Sequence, residues 1–529
     1  MGFWDKSRQI FNCLCANATQ SIRRIAQQTG LSKSSVHRLT QAMERRNSHP
    51  ESWLWETADG RQWLTRLVVA PLYTFGRKRG VGLDTLSEFF VRLHLDTQVG
   101  CAASALRGVM QALEAAVLET AAAWEQDATT RGEVREIIGA VDETFLERML
   151  LVFMDLSTGY LVLETVADDR TYDTWKALVD ERLKALGAGV LSLVSDRAKA
   201  LIQLAEHGLE CLSMPDFFHV IHEIVKSYAL AIGRHVRQAH QDLTHATETL
   251  VRRQERSHTD PAVVAATAAV AARQAVVEPW EAVQHTYRDH LETFSLTLHP
   301  FRIADSTPQT SDQVASWLYA EVEAIEALAS RHQLPARPQA MTKVRKQIPA
   351  LAAVVDFWWQ GVWQDVEPFE LTPRWRQWVQ ECLLPLVYWE HHVAHTRCAR
   401  RKAKMVQALE AVRTAFDTHA ITRGLDRQVL AEWHAWARLR VQVFARASSA
   451  VEGRNGSLSQ MHHNQRGLPK QRSKVWTVLH TFDCRAADGT TPAARFFGRA
   501  FPDLFETMLA HIEVLPRPRQ RDHASVRSG

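Results

Sequence analysis

At Arg135 the apolar period of this chain switches from helical to strand-like, and it switches back after Ser213. Every strand-forming run is thereby confined to one stretch, and a small sheet set among helices, an α+β architecture, is the fold that fits. Glu136 to Phe145, Met149 to Asp155 and Tyr160 to Val166 are β-rich, and Leu156-Ser157-Thr158-Gly159 makes the second of their turns, so the three form an antiparallel meander. Tyr172 to Leu186 then carries Trp175, Leu178, Val179 and Leu183 on one helical face. Val190 to Val194 is a short apolar strand, Arg197 to His207 a helix, and Leu209 to Ser213 a fifth strand, giving the order βββαβαβ.

Three acidic residues stand where a divalent metal would need them. Asp142 lies among Ile137, Ile138, Val141 and Phe145 on the first strand, where an unpaired carboxylate would be expensive. Asp196 ends the fourth strand and is also placed to cap the helix from Arg197. Glu452 sits on a helix with Ser448, Ser449, Asn455 and Ser457, small polar residues suited to lying against DNA. Magnesium takes hard oxygen ligands, and two such ions can stabilise the attacking and leaving oxygens of a phosphodiester. A middle strand can supply the carboxylate shared by both ions, a neighbouring strand end the second, and a helix the third. Glu143, beside Asp142, points to the other strand face and is the weaker ligand; Asp155, ending the second strand, ranks lower. His219 and His222 follow the fifth strand, where they can orient metal ligands from behind.

The N-terminal segment reads as a helix-turn-helix. Ile22, Ile25 and Ala26 share one face, Gly30 supplies the turn, and Ser32 caps a helix from Lys33 to Met43 that buries Val36 and Leu39. Lys33, Ser34, Ser35, His37 and Arg38 face outward, and residues 17–43 hold four basic residues and no acid. Those residue types suit major-groove contacts in double-stranded DNA. Two further helical runs, Leu83 to Leu93 and Ser104 to Val117, are either a second such motif or a packing module.

The net charge of +4 does not announce nucleic acid, but Gly453 to Phe482 contains no acidic residue and holds Arg454, Arg466, Lys470, Arg472 and Lys474. Directly after Glu452 this reads as a surface that tracks phosphates. From Phe218 onward the chain is helical, with breaks at His299 to Ser311 and near Pro335 and Pro368; its tryptophans, Trp358, Trp359, Trp363, Trp375, Trp378 and Trp389, read as core. His391, His392 and His395 share a helix, where a zinc site is weighed against a plain polar face. The seven cysteines include no Cys-x-x-Cys pair, so they read as reduced thiols. No apolar run approaches a membrane span, no secretory leader opens the chain, and no phosphate-binding glycine loop, Gly-x-Ser-x-Gly or dinucleotide fingerprint occurs. Neither a membrane nor a nucleotide cofactor is expected, and a cytoplasmic location is. Leu515 onward reads as a basic, disordered tail.

Taken together, the βββαβαβ order with Asp142 and Asp196, the long helical stretch before Glu452, and the N-terminal motif resemble bacterial insertion-sequence transposases of the DDE type. Ser449-Ala-Val-Glu-Gly-Arg-Asn-Gly, the later His462-His463-Asn-Gln-Arg466-Gly-Leu, and Asp488-Gly-Thr-Thr-Pro-Ala-Ala-Arg-Phe-Phe carry the resemblance further. It implies a ribonuclease-H-like α/β core with a mixed sheet, interrupted by a large all-α insertion. The implied division is a helix-turn-helix at 1–50, a helical or second DNA-binding module at 51–130, and the core at 131–225. A helical insertion at 226–440, the Glu452 part of the core at 441–500, and a helix with a basic tail at 501–529 complete it. The resemblance also implies two magnesium ions, replaceable by manganese, held by Asp142, Asp196 and Glu452. It implies cleavage of element ends, joining to target DNA, contacts from Arg454, Asn455, Arg466 and Lys470 to the element end, and a dimer acting on two ends. The first gap, 196 − 142 = 54 residues, suits such a core; the second, 452 − 196 = 256 residues, requires the insertion.

Overall fold

The computed structural model describes residues 3–130, 135–256, 261–444, 449–465, 470–512 and 514–518. Three helices open the chain: α1 (Phe3–Ala16), α2 (Ile22–Thr29) and α3 (Lys33–Arg46). A 3-10 turn (Pro50–Glu56) leads to α4 (Ala58–Pro71), α5 (Leu83–Arg92) and α6 (Ala103–Thr129). The strands are β1 (Arg135–Leu146), β2 (Arg148–Asp155) and β3 (Leu161–Ala167), then, after α7 (Tyr172–Leu186), β4 (Ala188–Ser195), and, after α8 (Lys199–Gln203), β5 (Leu212–Pro215). Two long helices, α9 (Phe217–Arg256) and α10 (Pro261–Thr297), precede α11 (Ser311–Arg331) and α12 (Pro338–Val366). Then come α13 (Pro373–Trp378), α14 (Leu384–His395), α15 (Ala399–Thr418), α16 (Ala420–Gly424) and α17 (Arg427–Gln442). The last helices are α18 (Ser449–Gln465), α19 (Lys470–Phe482), α20 (Pro492–Phe497) and α21 (Leu504–Leu509).

The five strands form one mixed sheet in the order β3-β2-β1-β4-β5, with β1 at its centre. The β2–β3 pair is antiparallel, Leu151 opposite Thr165, and the β4–β5 pair is parallel, Leu193 opposite Ser213. The expected βββαβαβ order is present, with two local differences. The helix expected over 197–207 starts only at Lys199 and ends in a wider turn over Leu204–Gly208. That turn captures the next residues, since Cys211 N donates to Ala205 O at 2.9 Å, and β5 therefore begins at Leu212 rather than Leu209.

By compactness the chain falls into two units, one of residues 1–135, 143–189 and 451–529, the other of 136–142 and 190–450. In the first, β3 is covered by α7 and α19, and α19 also packs on α6. The second of the two helices weighed as a further DNA-binding motif runs on to Thr129 and buries Leu106, Val109, Met110, Leu113 and Val117, so α6 is a core helix. Part of the expected tail is attached, because Gly100 N donates to Pro516 O at 2.7 Å.

The second unit is helical beyond β5, with α9 packed along α10 and α11 along α12. Of the six tryptophans read as core, Trp358, Trp359, Trp378 and Trp389 are buried and Trp363 and Trp375 half-buried; the indole N–H groups of Trp358, Trp378 and Trp389 donate to Arg440 O at 2.8 Å, Thr422 Oγ1 at 2.9 Å and Ser306 Oγ at 3.0 Å. Among the described residues one helix, α10, is long and apolar enough to cross a membrane by length and composition, with a window of mean hydropathy 1.2, but Arg273 interrupts its apolar run as the sequence led us to expect. Alanine and valine fill that window without a dense leucine or phenylalanine run to flag it. All seven cysteines are free.

Candidate functional site

The N-terminal module assembles as its sequence dictates. Ser21 Oγ accepts from Arg24 N at 3.4 Å and starts α2, and Ser32 Oγ accepts from Ser35 N at 3.2 Å and starts α3. Between them Gly30 takes φ 66°, a left-handed conformation that costs glycine nothing. Ile10, Ile25, Val36, Leu39 and Met43 close a small core beneath the two helices. The opposite face of α3 leaves Lys33, Ser34, His37 and Arg38 exposed. Ser35 departs from the expected contact set, since it is half-buried and its hydroxyl accepts from Ser32 Oγ at 2.8 Å within the cap.

Two of the three singled-out acids, Asp142 and Asp196, belong to the second unit, and Glu452 to the first. Asp142 is half-buried on the central strand, while Phe145, expected in the core beside it, is 72% exposed. Asp196 is exposed immediately after β4. It is not the cap of α8, whose cap position is Ala198; instead Asp196 Oδ1 accepts from Ala198 N at 2.8 Å. Arg197 between them holds φ 63° and reaches Ser213 O with its guanidinium at 3.2 Å, so the strand end is held in a sharp turn.

A fourth acid, which the sequence reading passed over, stands beside that turn. Asp216 follows β5, is 1% exposed, and donates its backbone N–H to Ser195 O at 2.7 Å, one residue before Asp196. Its Oδ1 accepts from Phe218 N at 3.1 Å, capping α9, and its Oδ2 lies 2.5 Å from His219 Nδ1. His219 thus stands against a buried carboxylate that was not among the expected metal ligands, whereas His222 is exposed and stacks on Phe218 with ring centroids 6.1 Å apart. An Asp at a strand-to-helix junction with a His one turn on was the available signal. The lower-ranked Asp155 proves to be a turn residue: its carboxylate accepts from Ser157 N at 3.3 Å, Thr158 N at 3.1 Å and Thr158 Oγ1. Glu143 lies 3.9 Å from Arg170.

Glu452 is half-buried in the first turn of α18, a helix seated in its own unit by the buried Val451 and Leu458. Two of its neighbours, Arg454 and Asn455, depart from the expected DNA-contacting set. Arg454 is 6% exposed, and its Nε and Nη2 donate to the two carboxylate oxygens of Glu164 at 2.6 and 2.7 Å. A guanidinium committed in this way has no open face for DNA. Asn455 is also buried, at 8% exposure. Arg472 is half-buried and Lys474 exposed. Arg466 and Ser448 lie outside the described residues, and of Lys470 only its place at the start of α19 is described. The Thr477 hydroxyl completes the Glu164 cluster at 2.7 Å. On α14 the histidines do not gather as a zinc set: the rings of His391 and His395 lie tilted with centroids 4.3 Å apart, His395 Nδ1 bonds to His391 O at 2.7 Å, and burial pushes the His391 imidazole down to about 4.

The donor chemistry of Asp142 and Asp196, hard carboxylate oxygens at and beyond strand residues, is the kind magnesium takes. Set against known families, residues 5–47 match the IclR helix-turn-helix domain, which accords with the capped α2–α3 pair and makes DNA binding the supported activity of this module. Residues 379–524 match a family of unknown function, DUF6399, a stretch that includes Glu452 and the whole of α18 to α21. No curated protein matches the chain.

Proposed function

We propose that this chain is a DDE-type DNA transposase, a magnesium-dependent enzyme with a ribonuclease-H-like core that cuts an insertion element at its terminal inverted repeats and joins it to target DNA. One observation carries the proposal: in the sheet order β3-β2-β1-β4-β5, Asp142 rides the central strand and Asp196 follows the neighbouring strand β4. That is the placement a metal-binding acid pair requires of a middle strand and an adjacent strand end. Glu452, after the helical stretch, is the third acid of the proposal.

Asp142, Asp196 and Glu452 are the side chains that would hold the magnesium ions, whose chemistry is to offset charge on the phosphodiester oxygens. Asp216 and His219 hold the end of β5 against the end of β4 and so position the Asp196 turn. Lys33, Ser34, His37 and Arg38 bring the element end to the enzyme. The reaction proposed is attack of water on a phosphorus with departure of the 3′-oxygen, followed by attack of that freed 3′-hydroxyl on a target phosphorus with departure of the target strand's own 3′-oxygen. Catalysis then rests on positioning and electrostatics. Joining two element ends calls for two chains.

The test uses the full chain, magnesium, and DNA carrying the sequences that flank its gene. Expected are strand breaks at the inverted repeats, reduced at least about 100-fold in Asp142→Asn and Asp196→Asn while specific binding persists. The IclR helix-turn-helix match favours one second reading, a DNA-binding regulator derived from such an enzyme. Specific binding with no magnesium-dependent cleavage by the wild-type chain would establish that reading and remove the first.

A further inference from the structure

Just beyond the DNA-binding helix, three metal-ligating side chains from two separate segments meet. His49 and Glu51 lie between α3 and α4, and His94 follows α5. One ligand atom from each, two imidazole nitrogens and a carboxylate oxygen, falls within 4.8 Å of the others. The His94 and Glu51 pair is already in contact, with Nδ1 and Oε1 2.9 Å apart, and the rings of His49 and His94 lie parallel with centroids 3.8 Å apart. Among the described residues no other trio of His, Cys, Asp or Glu is so gathered.

We infer that His49, Glu51 and His94 form a zinc-class metal site that clips the helix-turn-helix to the helical module following it. Two imidazoles and one carboxylate are a donor set that suits zinc, leaving a fourth position for water. Zinc–ligand bonds of about 2.0–2.2 Å put tetrahedral ligand atoms about 3.3 Å apart, so the trio must tighten by about 1.5 Å at its widest. Parallel rings cannot both aim a lone pair at one ion, so the His94 ring must also turn out of its stack on His49; the side chains of His94 and Glu51 are 48% and 55% exposed and can turn without disturbing the core.

The backbones beneath the trio are fixed by an independent feature. Arg46, Asn47, Glu56 and Gln98 are all buried and joined to one another: Arg46 Nη2 and Asn47 Nδ2 donate to Glu56 at 2.6 and 2.8 Å, and Gln98 Nε2 donates to Asn47 Oδ1 at 2.8 Å. This network ties the segment that carries His49 and Glu51 to the one that carries His94, so the ligands are brought together before any ion arrives. His94 itself sits at φ 56°, which turns the chain after α5. Binding would replace the His94–Glu51 hydrogen bond with metal bonds to both side chains, its proton passing to the other imidazole nitrogen or to solvent. The inference does not depend on the transposase proposal.

The test is titration of zinc alone into the chelator-stripped full chain, read by calorimetry and by zinc K-edge absorption at equimolar loading. A nitrogen- and oxygen-ligated ion is expected, with affinity falling about 10- to 100-fold in His49→Ala and in His94→Asn, the latter keeping a residue type tolerant of the left-handed backbone. Zinc should raise the melting temperature of the wild type and leave these variants unmoved, and their apo melting curves should match the wild type's. Retention of the site in Asp142→Asn with Asp196→Asn separates it from the acids of the proposed active centre. A sulfur shell, which would point to the free cysteines, or undiminished affinity in both histidine variants, would overturn the assignment.

Discussion

Arg454 and Glu164 are 290 residues apart in the chain and joined by two buried hydrogen bonds, of 2.6 and 2.7 Å. The pair fastens α18 to β3 two positions beyond Glu452, so it sets how the helix bearing that acid lies in its own unit. Both side chains are almost wholly enclosed, at 4% and 0% exposure. Removing one partner strands a charge where water cannot reach it. Arg454→Ala should therefore cost about 3–5 kcal/mol of stability in urea unfolding, with little dependence on salt. Arg454→Lys should recover only part of that, because an ammonium cannot engage both oxygens of Glu164 in the same plane.

The exposed face of α3 predicts a separable effect on DNA. Lys33→Ala and Arg38→Ala should weaken binding and each reduce the slope of log affinity against log salt by about 1 if the residue meets a phosphate. Neither should change the melting temperature, since both side chains are exposed. Ser32→Ala should do the reverse first, costing about 1 kcal/mol through loss of the bond from Ser35 N. Fluorescence anisotropy over a range of salt concentrations, beside thermal melts, distinguishes the two.

Asp155 predicts a purely structural loss. Its carboxylate accepts from two backbone N–H groups and a hydroxyl in the β2–β3 turn. Asp155→Ala should cost about 1–3 kcal/mol by leaving those donors short of partners. Chemical denaturation with and without magnesium should show the same loss in both, which a metal ligand would not.

His480 makes stability depend on pH. Burial, and then the positive charge of Arg454, push its imidazole down to about 4, while Nε2 stays 3.0 Å from Gly159 O. The unfolded chain, with an ordinary histidine value of about 6.5, binds the proton first as pH falls. The stabilising contribution is thus complete above about 6.5 and is lost as pH drops toward 4. Melting temperatures from pH 7 to pH 4.5 should fall in the wild type and fall less steeply in His480→Gln.

The capped N-terminal helices, the meander and α7 could be read from the chain because each is encoded within a few residues: a serine before an amphipathic run, alternation broken by Ser157-Thr158-Gly159, four apolar residues on one helical face. The β5 boundary was not, because the turn over Leu204–Gly208 draws Cys211 back to Ala205 and delays the strand. Arg454 looked like a DNA contact because it stands in a basic, acid-free run. Its partner lies on a strand far earlier in the chain, and no local pattern points to it. Asp216 was the opposite case, visible as an acid three residues before His219 but ordinary until β5 set it beside the end of β4.

What the amino-acid order determined alone is where helices and strands begin, which faces are apolar, and that a DNA-reading module stands at the front. Those properties follow from backbone preference and side-chain period, which act over one or two turns. Tertiary structure decided which charges remain available. It enclosed Arg454 with Glu164, set Asp216 against Ser195, and brought His94 to His49 and Glu51. Such pairings depend on packing between segments tens to hundreds of residues apart, and a charge acquires its chemistry only when that packing has chosen its neighbours.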